Sequence, residues 1–170
     1  MARGHIIASV SGGLTFGHLA GWPPGPTFVA AAFAPLTSAG ITSPDMDHWF
    51  HAGEHGPFRH RGITHWPGTA LVAAIAILAT VHGPMSVIAW GLWSGWASHL
   101  AADALFGKAY VRGNDGERVR GPGIPWAPWW GHWGLGLDVD GWLERRLVTP
   151  LVLPALAAYL FVLVTLGGTP

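Results

Sequence analysis

At 170 residues, half of them hydrophobic and only 11% charged, the chain is long enough for one domain with a sizeable core, and no polar linker divides it. Nine Lys/Arg balance nine Asp/Glu, which leaves no electrostatic footprint for nucleic acid, while the low charge content, with a mean hydropathy of +0.35, points to lipid. There is no cysteine, so disulfides, thiolate zinc sites and cysteine nucleophiles are excluded together, and any metal must be held by imidazole and carboxylate.

The first apolar segment spans residues 5–20. A single Arg3 precedes it as in a secretory signal, but Ser9, Ser11, Gly12 and Gly13 interrupt the run and no small-x-small cleavage site follows, so a retained helix is expected. Trp22-Pro23-Pro24-Gly25-Pro26 reads as a turn, because consecutive prolines remove donors and block helix. The second segment, 27–41, contains Pro35. A third is expected from about Trp66 to Val81, with Pro67 tolerated in its first turn, and His82-Gly83-Pro84 ends it. The fourth, Met85 to about Phe106, and the fifth, Leu147 to Leu166, have the length needed to span a hydrocarbon core of roughly 30 Å. Between them, 107–146 is too rich in turn signals and proline for helix. Its tryptophans suit a membrane interface, so a Trp/Pro-rich segment along the headgroups is expected before the last helix.

If all five segments cross, residues 1–4, 42–65 and 107–146 lie on one side of the membrane and 21–26, 82–84 and 167–170 on the other. All nine basic residues, Arg3, Arg59, Arg61, Lys108, Arg112, Arg118, Arg120, Arg145 and Arg146, then fall on the first side. A soluble bundle has no reason to sort its charges so, whereas the positive-inside rule requires it and makes that side cytoplasmic. The expected fold is therefore all-α: a single membrane-embedded bundle of about five helices over residues 1–170, multi-pass in the cell inner membrane.

The ligand chemistry collects on the charged side. Residues 43–65 hold two aspartates and five histidines. His5 opens the first helix and His65 the third, and Asp45, Asp47 and His48 follow the second. His99 and Asp103 are four apart near the charged end of the fourth, so both fall on one helix face and can share a metal if other elements complete its shell. His60 is placed in the loop before His65. His18 and His82 lie at the far end without partners, and His51 and His55 sit in a Gly- and Pro-bearing loop; all four are read as surface or packing residues. The starts Asp45-Met46-Asp47 and Asp138-Val139-Asp140-Gly141 lack the closing Glu of a calcium loop, and no Walker loop, G-x-S-x-G or H-E-x-x-H occurs.

Pro44-Asp45-Met46-Asp47-His48, then His60-Arg61-Gly62-Ile63-Thr64-His65, then Ser98-His99-Leu100-Ala101-Ala102-Asp103 resemble the successive signatures of the bacterial inner-membrane, LexA-regulated metal-dependent hydrolase family. Gly4-His5, the stretch 123–128 and Asp140-Gly141-Trp142-Leu143-Glu144 are similar to that family too, so the resemblance covers most of the chain. Ser43 and Trp66 depart from it, where an apolar and a small hydroxyl residue are usual. More distantly, the order His, Asp, His, His-x-x-x-Asp is similar to zinc-dependent phospholipases C and single-strand nucleases, all-helical enzymes that cleave phosphoesters.

The resemblance implies a membrane-bound metal-dependent hydrolase acting on a phosphoester near the cytoplasmic membrane face. Its ligands are drawn from His5, Asp45, His48, His60, His65, His99 and Asp103, with Arg61 and Asp47 in catalysis; Arg61 is suited to bind phosphate oxygens in bidentate fashion. The expected cofactor is a divalent ion, Zn with Mn or Mg as alternatives, one or two per chain, because the pool exceeds one tetrahedral shell. The expected partners are the lipid bilayer and a small-molecule or lipid-like ester, with no nucleic acid. The alternative is a metal-binding membrane transporter or sensor that uses the same ligands without hydrolysis.

Overall fold

The computed structural model describes residues 2–39, 42–46, 62–106, 108–112, 118–122, 124–125, 132–133 and 153–166. Among these are five α-helices: α1 (Ala2–Leu19), α2 (Pro24–Ser38), α3 (Pro67–Thr80), α4 (Pro84–Phe106) and α5 (Leu153–Leu166). A 3₁₀ turn, Ile63–His65, leads into α3. The all-α expectation holds for the body of the protein.

One boundary moved for a physical reason. The first turn is confined to residues around Gly21, whose φ of 68° suits glycine, and Pro24 and Pro26 lie inside α2. Proline there removes only N–H groups that a helix start leaves without an intrahelical acceptor. Within 107–146, where non-helical chain is expected, the described residues form two antiparallel ribbons, β1 (Lys108–Arg112) with β2 (Arg118–Pro122), and β3 (Ile124–Pro125) with β4 (His132–Trp133). Ile124 and Pro125 are buried, and β3 packs on α4. Asn114-Asp115-Gly116, a turn signal by sequence, lies outside the described residues.

The central packing is α2 against both α1 and α4, with α1 also touching α4 and α5. Small residues permit it. A Cβ at Gly13 would lie 2.6 Å from the Ala31 Cα, and one at Gly91 2.5 Å from the Ala30 carbonyl oxygen, so these helices meet nearly backbone to backbone. Buried hydroxyls turn back onto carbonyls: Ser94 Oγ donates to Gly91 O at 2.8 Å and Ser98 Oγ to Ser94 O at 2.7 Å. Thr37 Oγ1 donates across to Leu92 O, joining α2 to α4. The helix α3 is joined to α4 by Trp93 Nε1, which donates to Ala70 O at 2.7 Å.

The condition that all five segments cross is not met among the described residues: no described helix is both long and apolar enough to cross a membrane. At 23 residues α4 has the length, but Ser, Gly, Trp, His99 and Asp103 dilute its hydropathy. The helices α3 and α5 are apolar throughout, yet at 14 residues each extends only about 21 Å.

Burial runs opposite to that of an ordinary domain. His65 and His99 are among the largest fully buried side chains, while Leu71, Val72, Ile75 and Leu78 on α3 and Phe161 and Val162 on α5 are exposed.

Candidate metal centre

The helices α1 and α3 begin, and α2 and α4 end, at the same pole of the bundle. Five of the expected ligands meet there: His5 from α1, Asp45 from the turn after α2, His65 from the 3₁₀ turn before α3, and His99 and Asp103 from α4. Each is delivered by a local rule. Ser43 O accepts from Met46 N at 2.9 Å, which closes the turn that carries Asp45, and both Ser43 and Pro44 are buried beneath it. Gly62 O accepts from His65 N at 3.2 Å, which tightens the turn presenting His65. Thr69 Oγ1 donates to Ile63 O, pinning that turn to the start of α3. The ring of Trp66 is folded onto the same start: a Cβ at Gly68 would come within 2.4 Å of it.

His65 Nε2 lies 3.3 Å from both Asp45 Oδ1 and Asp103 Oδ2, and His99 Nε2 lies 3.7 Å from the same two oxygens. The four atoms thus alternate nitrogen and oxygen around a small ring. His5 stacks on His99 with ring centroids 4.4 Å apart and planes 16° from parallel. The donor atoms form two overlapping triads, His5/His99/Asp103 and Asp45/His65/His99, each within 4.8 Å and sharing His99.

The end of α2 sets the tautomer of His99. Its Nδ1 lies 2.7 Å from Ser38 O, and because a carbonyl only accepts, Nδ1 carries the hydrogen. With Nδ1–H engaged, Nε2 is the ring nitrogen that faces the two carboxylate oxygens. Ser38 Oγ also donates to His5 O at 2.8 Å, tying α1 to the same point. His65 Nδ1 lies 3.1 Å from Thr64 Oγ1, a hydroxyl placed behind the ring.

Imidazole nitrogens facing carboxylate oxygens at these distances can share a proton or hold a cation between them. For bonds of about 2.0–2.1 Å to nitrogen and oxygen, adjacent ligands on a tetrahedral ion stand roughly 3.3–3.4 Å apart, close to the observed spacings. Imidazole and carboxylate in equal number suit Zn and also Mn. The residues therefore fit a divalent ion. Burial pushes the Asp45 carboxyl up, but His65 and His99 beside it outweigh that and hold it well below the usual carboxylate range. Asp45 is also the open edge of the centre: its side chain is 48% exposed, against 0%, 1% and 8% for His65, His99 and Asp103.

Asp47, His48, His60 and Arg61 lie outside the described residues. Ser38 was missed from the sequence. It acts on His99 through its carbonyl, which every residue possesses, so no side-chain signal marks it.

No protein-family model matches the chain, and no curated protein or solved structure matches it either.

Proposed function

We propose that the chain is a membrane-embedded, metal-dependent hydrolase that cleaves a phosphoester at the pole where α1, α2, α3 and α4 meet. The observation that carries the reading is the ring of four donors, Asp45, His65, His99 and Asp103, spaced as neighbouring ligands on one ion, with His99 already held in the ligating tautomer by Ser38 O. A divalent ion bound there supplies an acidified water and polarises a phosphoryl oxygen. The remaining steps belong to the chain. Asp103 and the two imidazoles form the buried floor, so Asp45 marks the side from which substrate arrives. The close packing of α2 on α4 fixes the distance between Ser38 and His99, which keeps the donors aimed before substrate binds. Arg61 would receive the phosphate charge, two residues before Ile63 opens the 3₁₀ turn.

The membrane reading is supported by the apolar faces of α3 and α5 and by the collection of basic residues in the segments that adjoin the metal pole. The helices that fall short of spanning length can be accommodated by local thinning of the bilayer. A transporter would need polar groups along the far halves of the helices. Instead Thr27 and Ser94 donate their hydroxyls to the carbonyls of Pro23 and Gly91, which favours a fixed centre over a conduction path.

The test is metal content by elemental analysis of the detergent-purified protein, combined with turnover of a generic phosphoester panel, wild type against Asp103→Ala. About one or two equivalents of metal with turnover, both lost in Asp103→Ala, are expected. A metal-free wild type would sink the reading, and metal without turnover would favour the sensor.

A further inference from the structure

The ribbon that leaves the metal pole carries an unusual register. Lys108 pairs with Pro122, Tyr110 with Arg120 and Arg112 with Arg118, while Ala109 pairs with Gly121 and Val111 with Val119. Paired positions in an antiparallel ribbon lie on one face and alternate positions on the other. All four basic residues of the two strands, Lys108, Arg112, Arg118 and Arg120, therefore occupy one set of positions. The other set holds Ala109, Val111, Val119 and Gly121.

Neither strand contains an acidic residue, and the connecting Asp115 and Glu117 lie outside the described residues. Like charges directly opposite one another destabilise a ribbon, and here Arg112 is opposite Arg118. Such a face gains stability from an external anion. Its position narrows the choice, because β1 starts two residues after α4 ends, and α4 carries Asp103. The ribbon thus leaves the bundle at the same pole as the metal centre.

We infer that the β1–β2 ribbon seats its basic set on the anionic headgroups of the bilayer, so that the metal pole sits at a negatively charged lipid surface. The inference rests on the membrane reading but not on hydrolysis. Each basic residue near such a surface strengthens the attachment roughly fivefold, and salt screens it within a Debye length.

The test uses the full chain in nanodiscs of phosphatidylcholine alone or with phosphatidylglycerol, read by amide hydrogen exchange of the peptides covering 108–122. Exchange is expected to slow at least roughly fivefold with phosphatidylglycerol at low salt and to recover in high salt. The variant Arg112→Gln/Arg118→Gln should lose most of the difference. Equal exchange in both lipids overturns the inference. So does protection in neutral nanodiscs by inorganic phosphate or a short oligonucleotide in place of phosphatidylglycerol. If carbonate washing releases the protein from membranes without detergent, the membrane-embedded reading has failed separately. Salt-sensitive co-sedimentation of that released protein with phosphatidylglycerol vesicles, lost in the double variant, would then support the ribbon contact, and no co-sedimentation would overturn it.

Discussion

Replacing Gly95 by alanine should damage the metal centre from a distance. A Cβ there would lie 1.8 Å from the Ala34 carbonyl oxygen and 2.5 Å from Thr37 Oγ1, and real Cβ contacts under 3.0 Å essentially never occur. The obstacle is mostly backbone, so α2 must withdraw from α4 by about 1 Å. Ser38 follows Thr37 directly, and its carbonyl is 2.7 Å from His99 Nδ1. A withdrawal of about 1 Å takes that pair beyond hydrogen-bonding distance and frees the His99 ring to turn. Overpacking of this kind costs about 1–3 kcal/mol, at about 2–4 °C of Tm per kcal/mol for a chain of this size. Losing the group behind a ligating histidine typically weakens metal binding by about 10–100-fold. The assay is zinc competition against a chromophoric chelator together with thermal melts, with Gly25→Ala as control, since a Cβ at Gly25 meets nothing within 4 Å. A Gly95→Ala protein of lowered Tm but wild-type zinc affinity would show that α2 packing does not orient His99, and would refute the reasoning.

The other expectations follow from the same geometry. Asp103→Asn keeps the shape but removes a charge 3.3 Å from His65, so zinc affinity should fall by about 10-fold or more with little change in the far-UV circular dichroism. Ser38→Ala removes only the hydroxyl bond to His5 O and leaves the carbonyl that holds His99; a loss of about 1 kcal/mol in stability is expected, with zinc affinity within a few-fold of wild type by the same competition assay. The folded-state value of Asp45 is depressed, so its contribution to the metal-free protein is fully present above the ordinary value of 3.8 and is lost as pH falls through the lower folded value. Thermal melts in chelator should therefore show this contribution vanishing only on the acid side of pH 4, and Asp45→Asn should flatten that limb. Zinc itself should leave earlier on acidification, because protons compete for the imidazole ligands; equilibrium dialysis across pH 5–8 reads it.

The chain announces its helices and the convergence of ligands more clearly than it announces their packing. Hydropathy marks α1 to α4 to within a few residues because proline and glycine punctuate them; the expected start of the fifth segment at Leu147 lies outside the described residues. The four-residue spacing of His99 and Asp103 fixes their common face, and chain direction alone brings His5 and His65 to the same pole. The role of Gly91 and Gly95 is invisible in hydropathy, since a glycine in an apolar run looks the same whether it faces lipid or a neighbouring backbone. The β1–β2 ribbon was hidden for another reason: Lys108, Arg112, Arg118 and Arg120 alternate as a strand should, but the dense proline and tryptophan after Gly121 suggest irregular chain throughout.

The inverted burial also bears on what holds the metal pole together. Along the middle of the bundle Leu14 and Ala31 form an apolar cluster with Val10, Phe28 and Leu163 packed against it. At the pole the buried volume is filled by His65, His99 and Pro44, two of them titratable and neither able to gain stability from apolar transfer. Charged and polar groups so placed stabilise a fold only when their partners are complete, since removing one leaves the others desolvated. A bound divalent ion completes them, so on the proposed reading ligand binding and the folding of this pole are the same free energy. Zinc should then raise Tm in proportion to the logarithm of its free concentration, with the hydrogen-exchange gain concentrated in residues 42–46, 62–66 and the last turns of α4. An increase in Tm spread evenly over α1 to α5 would instead mean that the pole is already formed without the ion.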